Sequence, residues 1–162
     1  MRTIIFLSIL LFSKVLFSQS YYEFSADDLD GNTIKLENVA KAGPFMIGFW
    51  RSWCPSCKDE QRNMQILYEK YKDKGFTYLG INIDNQKTVS KVKSFVEANG
   101  FTFPVILDTD KKIFEAYSGT EDAVPYYLIF GKDKNLISVH LGYKQGDEIM
   151  IENEIKTALN LK

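Results

Sequence analysis

The sequence predicts an α/β domain in which a central mixed sheet is flanked by helices. Three observations carry that expectation. Continuous apolar runs at 45–50 and 76–83 read as strands buried on both faces. Each is followed by a stretch whose apolar residues recur every three or four positions, the period of a helix packed along one side. Two late strands joined by a short turn then precede a closing helix. Strand–helix alternation makes the first pairs parallel and the late hairpin makes the last pair antiparallel, so the sheet is mixed.

Extended segments at 22–26 and 33–36 flank Asp30-Gly31-Asn32, a turn signal, and suggest a short N-terminal hairpin. Gly43-Pro44 punctuates the chain before Phe45-Met46-Ile47-Gly48-Phe49-Trp50, the first buried strand. After the cysteines, Gln61, Met64, Leu67, Tyr68 and Tyr71 mark one side of a helix that Gly75 ends. The strand at 76–83 leads to a helix striped by Val89, Val92, Phe95 and Val96 and capped by Asn99-Gly100. A short strand at 104–107 and a short helix at 110–117 come next. Strands at 126–130 and 136–141 turn at 132–135, and a helix from 147 to 159 places Ile151, Ile155 and Leu159 on one face.

The chain has 162 residues, the length of one ordinary domain, and 45% of them are apolar, enough for a core without staples. Twelve Phe and nine Tyr make that core aromatic. The net charge is −1 and no basic block could follow a phosphate backbone, which argues against nucleic acid as a partner. The mildly basic stretch at 87–93 reads as a solvated helix face. Residues 1–18 look like a signal peptide: Arg2, an apolar run from Ile4 to Phe12 broken only by Ser8, and Leu16-Phe17-Ser18 before a cleavage point at Gln19. The domain would then occupy 19–162, and a retained membrane anchor is the alternative. No cysteine follows the leader to carry a lipid. Taking Arg2 and Lys14 from the 20 basic residues leaves 18 against 21 acidic ones, a net of −3 for the mature chain.

The only two cysteines, Cys54 and Cys57, sit three apart. Outside the cytoplasm such a pair is oxidised, yet so short a loop adds little to folding, so chemistry is the better reason for it. The stretch Trp53-Cys54-Pro55-Ser56-Cys57 lies where a buried strand hands over to a helix. On a first helical turn the two sulfurs meet. Cys54 would occupy the helix N-terminus, where free N–H groups and the helix dipole favour a thiolate. Pro55 falls near the first helical position, where its missing N–H costs nothing. Cys57 lies one turn deeper and ionises less readily, giving an attacking and a resolving sulfur. A zinc site would need four ligands, and the chain offers two Cys and a distant His140. A thiol peroxidase would favour threonine three residues before its attacking cysteine, where this chain has Arg51.

The run from Phe49 to Glu60, FWRSWCPSCKDE, resembles the active-site stretch of the TlpA/ResA-type thioredoxin-like thiol-disulfide oxidoreductases. The likeness continues through Gly80-Ile81-Asn82-Ile83-Asp84, through Phe103-Pro104-Val105-Ile106-Leu107-Asp108, and through Val124-Pro125-Tyr126-Tyr127-Leu128-Ile129-Phe130. It implies a thioredoxin-like fold with an N-terminal hairpin extension and an inserted strand and helix. It also implies a cis Val124–Pro125 bond that turns the Val124 backbone toward Cys54, ready to pair with an extended client peptide. Trp53, Pro55 and Tyr126 join Val124 and Pro125 as candidate client-binding residues, while Trp50 reads as core.

In such proteins a glutamate near the thiols corresponds to Glu60, which makes it the candidate to relay the Cys57 proton. Thioredoxins proper use a buried Asp on the preceding strand, at the position of Gly48 here. One departure is Arg62, where the family commonly has a proline that kinks the helix. The implied activity is reduction of disulfides in exported proteins, with apocytochrome c thiols among the clients. It needs no cofactor, because the sulfurs carry both electrons. A membrane thiol-disulfide transporter would be the electron donor, and the location would be periplasmic or anchored facing outward. An oxidase or isomerase, a thiol peroxidase and a non-catalytic binding module are the competing readings.

Overall fold

Two apolar strands form the centre of the molecule, and the site gathers at their C-terminal ends. The computed structural model describes residues 21–118 and 123–161; the expected leader at 1–18 lies outside them. In chain order the elements are β1 (Ser25–Asp27), β2 (Thr33–Lys35), α1 (Leu36–Ala42), β3 (Phe45–Trp50), α2 (Pro55–Tyr71), β4 (Thr77–Asn82), α3 (Val92–Asn99), β5 (Val105–Leu107), α4 (Lys112–Ser118), β6 (Tyr126–Phe130), β7 (Leu136–Leu141) and α5 (Asp147–Ala158). The main sheet runs β5-β4-β3-β6-β7, parallel across the first three strands and antiparallel across the rest. This is the mixed sheet of a thioredoxin-like fold.

All six residues of β3 are buried because helices cover both sheet faces. Strand alternation divides its side chains between two core layers. Met46 and Trp50 pack with Met64, Leu67 and Tyr71 of α2 and with Ile151 and Ile155 of α5. Phe45, Ile47 and Phe49 point the other way, onto Leu36 and Ala40 of α1 and Ile113 and Phe114 of α4. Helix α2 therefore lies over the face that carries Gly48, Trp50 and Tyr78, and its buried side includes Cys57, Glu60 and Gln61.

The N-terminal hairpin is present, turned by Gly31 at φ +84° and docked along β5 through the Leu29 N–H to the Val105 carbonyl at 2.9 Å. Helix α1 was not foreseen: its two turns carry a single short set, Leu36, Val39 and Ala40, of which Leu36 and Ala40 are buried and Val39 packs against the same core layer. Gly43 follows it because the chain there passes against another loop. A Cβ at 43 would stand 2.3 Å from the Gly75 carbonyl oxygen. Among the described residues no helix is long and apolar enough to cross a membrane.

Candidate active site

The end of β3, the end of β4 and the start of β6 meet at one rim of the sheet, since Trp50 pairs with Asn82 and Phe49 with Tyr126. The cysteine loop leaves β3 there. Cys54 is the N-cap of α2 in an extended conformation, Pro55 opens the helix, and the Cys57 N–H donates to Cys54 Sγ at 3.2 Å. The two sulfurs are joined in a disulfide with their Cα atoms 5.3 Å apart. Cys54 is 8% exposed and Cys57 is 0% exposed. The first turn of α2 carries no acidic residue, so no helix carboxylate opposes negative charge on Cys54. Ser56 Oγ lies 3.5 Å from the same sulfur. One sulfur is thus presented at a helix N-terminus and the other is sealed beneath it.

The Val124–Pro125 bond is cis, as the resemblance implied, and the Val124 carbonyl oxygen lies 3.8 Å from Cys54 Sγ. Pro125 is buried and Val124 half-buried. Trp53, 56% exposed, stands beside the disulfide with the Arg51 guanidinium 5.3 Å from its ring centroid. Tyr126 turns to the opposite core layer: its ring packs against Phe49 and Phe114, and its hydroxyl donates to the Tyr117 carbonyl at 3.2 Å. Trp50 is fully buried, 5.6 Å from the Phe95 ring, as a core residue should be. His140 stacks on Tyr127 and bonds Glu154, tying β7 to α5.

The loop before Cys54 is fastened from below. Buried Asp84, just past β4, accepts the Ser52 N–H at 3.0 Å on one oxygen and the Ser52 hydroxyl on the other. Asn82 Oδ1 accepts the Asp84 N–H at 3.1 Å, and the Ile83 N–H bonds the Trp50 carbonyl at 2.9 Å. The strand ends and the cysteine loop thereby form one hydrogen-bonded unit.

Beneath the disulfide, Glu60 lies one turn after Cys57 on the same helix and is 0% exposed. Burial pushes its carboxyl up to about 8, against the opposing pull of a hydrogen bond from Gln61. Gln61 Nε2 lies 3.3 Å from Glu60 Oε2, whereas Oε1 is buried without a hydrogen-bond partner. Gln61 is held by Tyr78: its Nε2 donates to the Tyr78 oxygen at 2.8 Å, and the Tyr78 hydroxyl lies 3.0 Å from Gln61 Oε1. Space for that hydroxyl comes from Gly48, where a Cβ would stand 2.3 Å from it. Arg62 leaves α2 uninterrupted from 55 to 71, and Glu60 is nonetheless buried.

Sequence reasoning did not identify Asp84 as a loop anchor, nor Gln61 and Tyr78 as partners of Glu60. The available signals were a polar residue ending a buried strand and a glycine inside the otherwise bulky run 45–50. Each needs the fold before its partner can be named.

A model of the AhpC/TSA family matches residues 18–139. The chain is 32% identical over 126 residues to the thiol-disulfide oxidoreductase ResA of Bacillus thuringiensis (strain Al Hakam), spanning 78% of this chain and 70% of that one. It is 29% identical over 138 residues to ResA of Bacillus subtilis (strain 168), spanning 85% and 71%. Among solved structures, a thiol:disulfide interchange protein of Chlorobium tepidum TLS superposes with TM-score 0.75 at 24% identity, covering 86% of this chain and 95% of that one, a likeness of fold.

Proposed function

This chain belongs to the AhpC/TSA family as a thiol-disulfide oxidoreductase of the ResA type, and from that premise we propose that it reduces disulfides in exported proteins, with Cys54 attacking and Cys57 resolving. The observation that carries the assignment of roles is the unequal setting of the two sulfurs: Cys54 accepts the Cys57 N–H at a helix N-terminus, while Cys57 is wholly enclosed.

The Cys54 thiolate attacks a client disulfide. The client S–S bond breaks, a Cys54–client disulfide forms, and the other client sulfur leaves as a thiolate. Cys57 then gives its proton to the Glu60 carboxylate and attacks the Cys54 sulfur, releasing the second client thiolate. Two electrons have passed from the dithiol to the client, which is reduced, and the Cys54–Cys57 bond closes. Recharging runs in reverse: a donor thiolate attacks Cys54, Cys57 departs, and Glu60, mostly neutral at pH 7 with its carboxyl near 8, supplies the proton. The donor's second thiolate then attacks the donor sulfur bonded to Cys54, which frees the Cys54 thiolate and leaves the donor as a disulfide. The Val124 backbone and exposed Trp53 receive the client. Pro55 opens α2 beside Cys54, Pro125 holds the Val124 backbone against the same sulfur, and Tyr126 anchors the Pro125 segment from the far core layer.

Domain 19–162 would act outside the cytoplasm after removal of the leader at 1–18. A membrane thiol-disulfide transporter would return electrons, and apocytochrome c thiols would be among the clients. The test is a Cys57→Ser variant expressed from the full chain, with adducts captured under alkylating conditions. Mixed disulfides on Cys54 that dithiothreitol releases are expected. Adducts rich in CxxCH-bearing apocytochromes would support haem-protein maturation, and a broad spread of clients would exclude that specialisation. Absence of adducts, together with no acceleration of insulin reduction by the wild type, would refute the reductase assignment.

A further inference from the structure

Fully buried Glu60 is held by Gln61, which is held in turn by Tyr78. Gln61 touches both Glu60 and Tyr78, and its amide exchanges two hydrogen bonds with the Tyr78 hydroxyl at 2.8 and 3.0 Å. Both ends of the amide are engaged by one phenol, which holds the amide plane in place, and the remaining Nε2 proton reaches Glu60. The phenol is itself fixed, since Tyr78 is fully buried with its ring edge-on to Phe103 at 4.7 Å. Gln61 Nε2 lies within hydrogen-bond distance of one oxygen of Glu60, Oε2, and Oε1 is left without a partner.

We propose that Gln61, clamped by Tyr78, is a positioning residue that occupies Oε2 of Glu60 and so makes Oε1 the proton-carrying oxygen. The inference rests on the proton-relay role given to Glu60 above. The chemistry is that of a carboxyl group in a dry site. An oxygen that accepts an N–H bond behaves as the carbonyl, so the proton resides on the other one. With Oε2 occupied, Oε1 is the oxygen left to serve Cys57, one turn back on α2. Gly48 is what permits the arrangement: a side chain there would collide with the Tyr78 hydroxyl, so a buried acid on β3 and this clamp exclude each other. The charged and titratable groups facing Glu60 are Cys57 on α2, Tyr78 on β4, Tyr127 on β6 and Tyr143 before α5. Burial raises all three phenols, which stay neutral across the working pH range.

The test follows the Glu60 carboxyl by 13C NMR in oxidised, side-chain-labelled full-length protein, its signal assigned by loss in Glu60→Gln. Losing the Gln61 N–H removes a bond that favours the carboxylate. Gln61→Met should accordingly raise the Glu60 midpoint by about one pH unit. Tyr78→Phe, which keeps the ring and serves if Gln61→Met does not fold, should raise it by a smaller amount. In protein that carries a preformed mixed disulfide on Cys54 with Cys57 free, single-turnover resolution should move its pH midpoint in step, a change that loss of stability alone would not produce. An unmoved Glu60 midpoint in both variants overturns the clamp and leaves the relay intact. A moved midpoint with a resolution profile identical in wild type and Glu60→Gln overturns the relay, and the clamp's role in the reaction with it.

Discussion

Replacing Glu60 with Gln should stabilise the oxidised protein, and more strongly as the pH rises. Burial lifts the Glu60 carboxyl from the ordinary value of 4.5 to about 8. Between those limits the folded chain holds a proton that the unfolded chain has released, so unfolding free energy falls with rising pH. The slope approaches ~1.4 kcal/mol per pH unit from one group, and it vanishes above about pH 8 once both states are ionised. Glutamine keeps the shape and hydrogen bonding of the neutral carboxyl and cannot ionise. The stability difference between Glu60→Gln and wild type should therefore grow by about 3 kcal/mol from pH 5 to pH 8, then level off. Urea unfolding of the oxidised proteins, followed by far-UV circular dichroism at one-unit intervals from pH 5 to 9, measures this directly. Other titrating groups cancel in the difference. Parallel curves for the two proteins would mean that Glu60 ionises normally, and the reasoning about its burial would be refuted.

Gly48→Ala should cost about 2–4 kcal/mol, because its Cβ would stand 2.3 Å from the Tyr78 oxygen and break the bonds to Gln61. Tyr78→Phe in the same chain should recover part of that loss, and simple additivity in denaturant melts would count against the clash. Asp84→Ala strands the Ser52 N–H and hydroxyl, which should cost about 2–3 kcal/mol and slow insulin reduction severalfold. Unchanged melting and rate would show that the loop before Cys54 is held some other way. Glu152 is pulled down to about 2 by hydrogen bonds from Lys70 and Tyr71, and Lys156 adds to the effect. Its stabilisation is present above pH 4.5 and lost as the pH falls toward 2. Glu152→Gln should flatten the acid limb of the stability curve by about 1 kcal/mol, a figure that high salt reduces further.

The parts of this molecule legible in its sequence are those encoded locally. The runs at 45–50 and 76–83 have one apolar side chain after another because both sheet faces are covered, and a strand of that composition has few alternatives. Cys54-Pro55-Ser56-Cys57 announces a helix N-terminus by its proline and a reactive pair by its spacing. Helix α1 escaped notice because seven residues hold too few turns for a period to show, and its evidence is tertiary: Leu36 and Ala40 meet Phe45 and Ile47 in one core layer. The clamp on Glu60 escaped for a related reason. Gln61 showed only as a helix-face residue and Tyr78 as a strand aromatic, and nothing local joins them. Only the parallel register that sets Tyr78 opposite Met46 brings its hydroxyl into the space that Gly48 leaves open. Asp84 likewise looks like a strand-ending acid until Ser52 is brought over it.

The most direct measurement is competitive alkylation of the two thiols in the reduced native protein, read residue by residue by mass spectrometry from pH 5 to 10. Cys54 should react far faster than Cys57, with a midpoint below the value near 8.5 of an unperturbed cysteine. Equal labelling of the two sulfurs, or faster labelling of Cys57, would contradict the account.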